Sequence, residues 1–259
     1  YKLMAKQKSI QFLGLLSTAL ALEIIVAPGL LTKVQAQTAS PNSAQSQRIS
    51  TIARVTFDPP GDGKPDDTAG GASRSGGCLQ AVTNIGGCIV PLMPETRDGL
   101  TTTERPTFFV YVADSAAKEL FFSLRDESDN AVYQAKIPIN GQTGIVSVQL
   151  PDEAPALEIG KTYQWAFIMV GDQGLRPDSP GVRGEVRRVE LNPELKNELA
   201  QGKPLDRAEL YGKNGIWFDT VASLAQARRE QPNDSTLVAN WQDLLKSVGL
   251  DAIAKEPLL

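Results

Sequence analysis

Apolar and polar positions alternate with period two along the middle of the chain and switch to a helical period near its end. Phe108, Val110 and Val112 alternate with Phe109 and Tyr111, and Leu120, Phe122 and Leu124 repeat the pattern. Residues 131–137, 144–150, 162–170 and 182–189 complete six predicted strands. Turn residues separate them: Asp129-Asn130, Asn140-Gly141, residues 158–161 and residues 172–181. Short alternating strands with this punctuation predict an antiparallel β-sandwich, immunoglobulin-like in outline, rather than βαβ units. Trp165, entered through Gly160-Lys161-Thr162-Tyr163-Gln164, is expected in its core.

After Leu191 the period becomes helical. Asn192-Pro193-Glu194 gives a cap residue, a proline for the first helical position and an acid in the first turn. That helix runs to about Leu199, and a second covers residues 205–211. Trp217, Val221 and Leu224 mark one face of a longer helix that Pro232 terminates. Asp234 or Ser235 caps the next, whose face is Leu237, Trp241, Leu244 and Val248 and which ends at Gly249. Two such amphipathic helices form a hairpin whose apolar faces need a cover.

Ahead of the sandwich, residues 52–57 alternate as a short strand would. In residues 58–77, three Pro and six Gly fill nine of twenty positions, which predicts a loop. Residues 37–50 are polar and rich in Ser, Gln and Ala, a flexible leader. The first segment reads as an address: Lys6 and Lys8 follow Met4, residues 10–22 are mostly apolar, and Val34-Gln35-Ala36 offers a signal-peptidase site. Ala19-Leu20-Ala21 is a second cleavage point. An uncleaved anchor is the alternative, but Glu23 and Pro28 interrupt the stretch before it spans a bilayer. The expected organisation is a signal peptide over 1–36, a leader over 37–77, the sandwich over 78–191 and a helical segment over 192–259.

Composition narrows the chemistry. The 259 residues contain no histidine, which removes Ser-His-Asp and Cys-His nucleophilic sets, His-ligated zinc and His general bases. Loss of residues 1–36 would take away Lys2, Lys6, Lys8, Lys33 and Glu23 and move the formal charge from −4 to −7. An acidic exported chain is not expected to bind nucleic acid or to insert stably in a membrane once the signal is cleaved. The two cysteines, Cys78 and Cys88, rule out a four-thiolate metal site. In an oxidising compartment they are expected to pair, closing a loop of about 11 residues worth roughly 3 kcal/mol.

Several segments together resemble the cyanobacterial proteins collected as domain of unknown function 928 (DUF928). They are Gly70-Gly71-Ala72-Ser73-Arg74 before Cys78, Gly99-Leu100-Thr101, Arg105-Pro106-Thr107-Phe108 and Glu119-Leu120-Phe121-Phe122. Gly144-Ile145-Val146, Gly160-Lys161-Thr162-Tyr163-Gln164-Trp165, Asn214-Gly215-Ile216-Trp217-Phe218-Asp219-Thr220 and the run from Trp241 to Leu250 complete the set. The resemblance spans about residues 55–257. It implies a cyanobacterial source and export, and it brings no activity, cofactor or catalytic residue. Relatives often carry a second cysteine just after the Trp-containing strand, where this chain has Gly171. The pairing the resemblance would imply for Cys78 is therefore closed to this chain, which has Cys88 instead.

No cofactor or metal is expected. The glycine-rich run from Gly70 to Gly77 lacks the Gly-Lys-Ser/Thr ending and the feeding strand of a phosphate loop, although Ser73 and Arg74 are candidate ligand contacts on it. Asp58, Asp62, Asp66 and Asp67 lack EF-hand spacing and read as a solvated loop. Asp126, Glu127 and Asp129, and Asp152 with Glu153, fall at turns, although carboxylate pairs can hydrolyse glycosides. Phe109, Tyr111 and Phe121 are the candidates for an outward aromatic patch. The functional expectation is an exported, non-catalytic interaction module with a protein partner, in the periplasm or at the cell surface. A carbohydrate- or cell-wall-binding module is the first alternative, and a His-free carboxylate hydrolase the second.

Overall fold

The computed structural model describes residues 54–60, 89–113 and 117–259. The expected signal peptide and polar leader, Cys78 and Cys88, and Ser73 and Arg74 all lie outside them. Among the described residues, eight strands precede four helices. The strands are β1 (Ile89–Pro91), β2 (Asp98–Thr101), β3 (Thr107–Val112), β4 (Glu119–Arg125), β5 (Ala131–Pro138), β6 (Gly144–Gln149), β7 (Thr162–Val170) and β8 (Gly181–Arg188). The helices are α1 (Pro193–Gln201), α2 (Pro204–Lys213), α3 (Trp217–Glu230) and α4 (Ser235–Ser247), followed by a 3-10 turn at Asp251–Ile253. All six strands read from alternation are present, and α1 starts where Asn192 accepts a hydrogen bond from the Leu195 N–H at 2.7 Å.

The strands form a three-stranded sheet in the order β1-β3-β6 and a five-stranded sheet in the order β2-β8-β7-β4-β5. Pairing is antiparallel with one exception: β2 runs parallel to β8, Asp98 opposite Glu185 and Thr101 opposite Arg188. The expectation of a purely antiparallel arrangement is corrected at that edge. Alternation reveals which face a residue takes but not which strand lies beside it.

The facing sides of the two sheets share one core. Phe108, Val110 and Val112 on β3 meet Leu120, Phe122 and Leu124 on β4 and Trp165 and Phe167 on β7, all at most 1% exposed. The Phe108 ring lies 5.0 Å from Phe122, 5.9 Å from Trp165 and 5.4 Å from Phe218 of α3. The helices belong to the same core: Trp217, Leu224, Trp241 and Leu244 are buried in it. α3 packs on β2 and β3, and α4 packs on α3. The outward side of the three-stranded sheet is thereby covered. The segment after the last helix adds to this cover, since the Ile145 N–H donates to the Pro257 carbonyl and the Leu259 N–H to the Ile145 carbonyl.

Residues 54–58 cross the helices as an extended strap and form no strand, in contrast to the expectation for 52–57. Their backbone donors are taken by other partners. The Val55 N–H donates to the buried Asn240 Oδ1 at 2.7 Å, and the Asp58 N–H to the Gly212 carbonyl at 3.0 Å. A Cβ on Gly212 would stand 2.0 Å from the Thr56 carbonyl oxygen, so glycine is what lets the strap reach α2. Phe57 then packs edge-on against Trp217, with ring centroids 4.8 Å apart. Among the described residues, no helix is long and apolar enough to cross a membrane.

Candidate functional site

The residues after β2 read Thr101-Thr102-Thr103, and α3 opens with Trp217-Phe218-Asp219. Gly99 allows the two to meet: a Cβ there would stand 2.6 Å from the Phe218 ring. Asp219, 5% exposed, sits in the first turn of α3, where the helix dipole favours an anion. Its Oδ2 accepts from the Thr101 hydroxyl at 2.6 Å and the Thr102 N–H at 3.2 Å. Its Oδ1 accepts from the Thr102 and Thr103 hydroxyls at 2.7 and 2.8 Å. An ionised carboxylate offers about four acceptor positions, and the chain itself fills them. Burial pushes the Asp219 carboxyl above its ordinary value, while the three threonine hydroxyls and the Thr102 N–H pull it back. The group is a clasp joining a strand end to a helix, with no lone pair left for a ligand or metal.

Beside this clasp, a pocket of about 530 Å³ opens between α2, α3 and the outward side of β3 and β6. Phe109, Phe218 and Ala222 give it apolar walls, and Arg105, Arg207, Arg229 and Tyr211 are among its polar ones. Arg105 is engaged through Nε with the Pro151 carbonyl and through Nη2 with the carbonyls of Asp152 and Ala154. Arg229 donates to the Ser147 hydroxyl at 2.8 Å.

A second concave surface lies on the outward face of the five-stranded sheet, which no helix covers among the described residues. This groove, of about 820 Å³, follows the strand register. One row pairs Phe121 with Ile168, and Leu175, 54% exposed, flanks the groove. The next row is Ser123, Ala166 and Arg183, its two small residues making a trough. The third aligns Arg125, Gln164, Glu185 and Asp98 across four strands.

The expected aromatic patch is divided by this architecture. Phe121 is half-buried and lines the sheet groove. Phe109 is 4% exposed and walls the pocket under α3, and Tyr111 is half-buried against the core. Phe109 and Tyr111 do point away from the inter-sheet core, but the helices and C-terminal segment cover that side. The turn acids hold their turns. Asp126 accepts from the backbone N–H groups of Ser128 and Asn130, and Glu127 from the Thr162 N–H. Asp129 pairs with Arg125 and Asp152 with Arg105. Among the described residues, no three acidic or cysteine side chains gather as a metal site would require. The clasp was not foreseen. Its sequence signal was an acid lodged within the apolar run Ile216-Trp217-Phe218-Asp219, paired with a triple threonine more than a hundred residues away.

The profile of the family described as Domain of Unknown Function (DUF928) matches residues 69–258. The chain belongs to the DUF928 family. No curated protein matches the sequence. The match spans β1 to β8 and all four helices, so the clasp, the pocket and the sheet-face groove lie within the family domain.

Proposed function

We propose that this DUF928 protein is an exported, non-catalytic binding module with an immunoglobulin-like sandwich at its centre, and that the outward face of its five-stranded sheet receives a protein partner. The observation that carries this reading is an asymmetry of cover among the described residues: helices and the C-terminal segment cover one sheet, while the other presents a grooved face with Phe121, Ile168 and Leu175 at one end and a charged row at the other. Apolar anchors beside a polar rim suit protein recognition. The buried carboxylate beside the pocket under α3 is fully occupied by its own threonines, which favours binding over catalysis there. Export rests on the N-terminal segment, whose charge and apolar pattern is that of a secretory signal.

One observation favours a second reading, carbohydrate. Arg125, Gln164 and Glu185 set planar hydrogen-bonding groups side by side, within one groove with the Phe121 ring. A photoreactive residue placed at Ile168 in the native cell envelope distinguishes the two. The expected product is a discrete protein adduct that is missing when the same group replaces exposed Lys196 on α1. Adducts to polysaccharide alone would transfer the site to the second reading. Indistinguishable, diffuse labelling from both positions would contradict the assignment of the groove.

A further inference from the structure

We propose that the pocket between α2, α3 and the β3–β6 face is a second binding site, specific for a small organic carboxylate with an apolar body. Its size is within the range of small-molecule sites, roughly 300–1,000 Å³. Phe109 and Phe218 supply rings to bury an apolar body against, each only 4% exposed. The polar lining is weighted to donors. Three arginines, in a chain of net negative charge, line one cavity together with the Tyr211 hydroxyl. Against them stand two carboxylates. Asp219 has its acceptor positions filled by Thr101, Thr102 and Thr103, and Glu230 is exposed at the end of α3.

Arg207 is the residue that points to the ligand's charge. It stands one turn before Tyr211 on α2 and is half-buried. Its guanidinium makes no hydrogen bond or ion pair to any described residue, and its Nε is buried without an acceptor. A half-buried cation with no counter-charge is costly in a folded chain unless something supplies one. A guanidinium presents parallel N–H donors that match the two oxygens of a carboxylate, and burial of the pair in a partly apolar pocket strengthens it. Arg105 is already held by three backbone carbonyls and fixes the pocket wall, leaving Arg207 as the anion-binding group and Arg229 as a cation at the rim.

Phenylacetate and its neutral amide, phenylacetamide, are suitable probes, titrated into the purified full chain and followed by the backbone amide resonances of Ala222 and Gln226. The expected result is saturable shifts at these residues with phenylacetate, at a Kd of about 1 mM as befits so small a ligand, and none with phenylacetamide. Arg207→Gln is expected to weaken binding at least about tenfold with its unfolding midpoint unchanged, since the Arg207 guanidinium has no hydrogen-bond or ion-pair partner among the described residues. Ala222→Phe, which fills the cavity, is expected to abolish the shifts. Equal binding of acid and amide, undiminished binding by Arg207→Gln, or no shift with phenylacetate at about 10 mM would each overturn the proposal. The site is distinct from the sheet-face groove, so its failure leaves that reading standing.

Discussion

Replacing Asp219 with alanine is expected to cost about 3–5 kcal/mol, a large share of the roughly 5–15 kcal/mol that holds a domain folded. The Thr101 hydroxyl, 0% exposed, and the part-buried Thr102 N–H would lose their common acceptor, and two further hydroxyls would lose theirs. Each unsatisfied buried donor costs about 1–3 kcal/mol. Asp219→Asn separates charge from geometry. Its carbonyl oxygen can still accept from the Thr101 hydroxyl and the Thr102 N–H. Its amide can donate to the Thr102 and Thr103 hydroxyls, which turn to accept. The expected loss is smaller, about 1–2 kcal/mol.

The same pair of proteins carries a pH signature. Burial, the largest influence, holds the Asp219 carboxyl above its ordinary value of 3.8, against the opposing threonine hydrogen bonds. The folded chain therefore keeps this proton to higher pH than the unfolded chain. Its contribution to stability is greatest below 3.8 and declines as pH rises through the folded value. Asp126 and Asp178 act in the opposite sense, held low by Asn130 and Arg176, but both proteins share them. Urea unfolding across pH is thus expected to show the native protein losing stability relative to Asp219→Asn as pH rises from below 3.8. A difference independent of pH would contradict the assignment.

Trp217→Ala is expected to destabilise by about 3–5 kcal/mol. The ring is 1% exposed, donates from Nε1 to the Leu92 carbonyl at 2.9 Å and supports Phe57 of the strap. One side chain therefore holds α3, the connection after β1 and the segment over the helices. Trp217→Phe keeps most of the apolar contact but leaves the Leu92 carbonyl without its donor, at about 1–3 kcal/mol. If the strap depends on this contact, limited proteolysis of the alanine variant under native conditions will cleave within residues 54–60 faster than in the native protein. Equal cleavage rates would show that Asn240 and Gly212 anchor the strap on their own.

The local structure was legible because local signals carried it. Alternation marked β3 to β8, and Asn192-Pro193 and Asp234 marked two helix starts. What escaped was contact over long separation. The parallel partnership of β2 with β8 leaves no trace in either strand's own pattern. The strap at 54–58 has the composition of a strand, yet its N–H groups go to Asn240 and Gly212, so it never enters a sheet. Phe109 follows the expected period and is nevertheless buried. Period two separates two faces of a strand but does not reveal that helices from far along the chain cover the outer one. The same packing turned Asp219 from an ordinary first-turn acid into the anchor of three threonines, and set Arg207 at the edge of a cavity that no single segment forms.

The binding role of the open sheet is tested most directly by retention of the purified protein on isolated cell envelope of its source, compared with Ala166→Arg. Ala166 lies between Ser123 and Arg183 in the trough and is half-buried, so an arginine there fills the groove from a strand whose core-facing neighbours Trp165 and Phe167 are untouched. The expected result is saturable retention of the native protein and at least about tenfold weaker retention of the variant, with unfolding midpoints alike. Equal retention of the two, at equal stability, would place the binding surface elsewhere on the molecule.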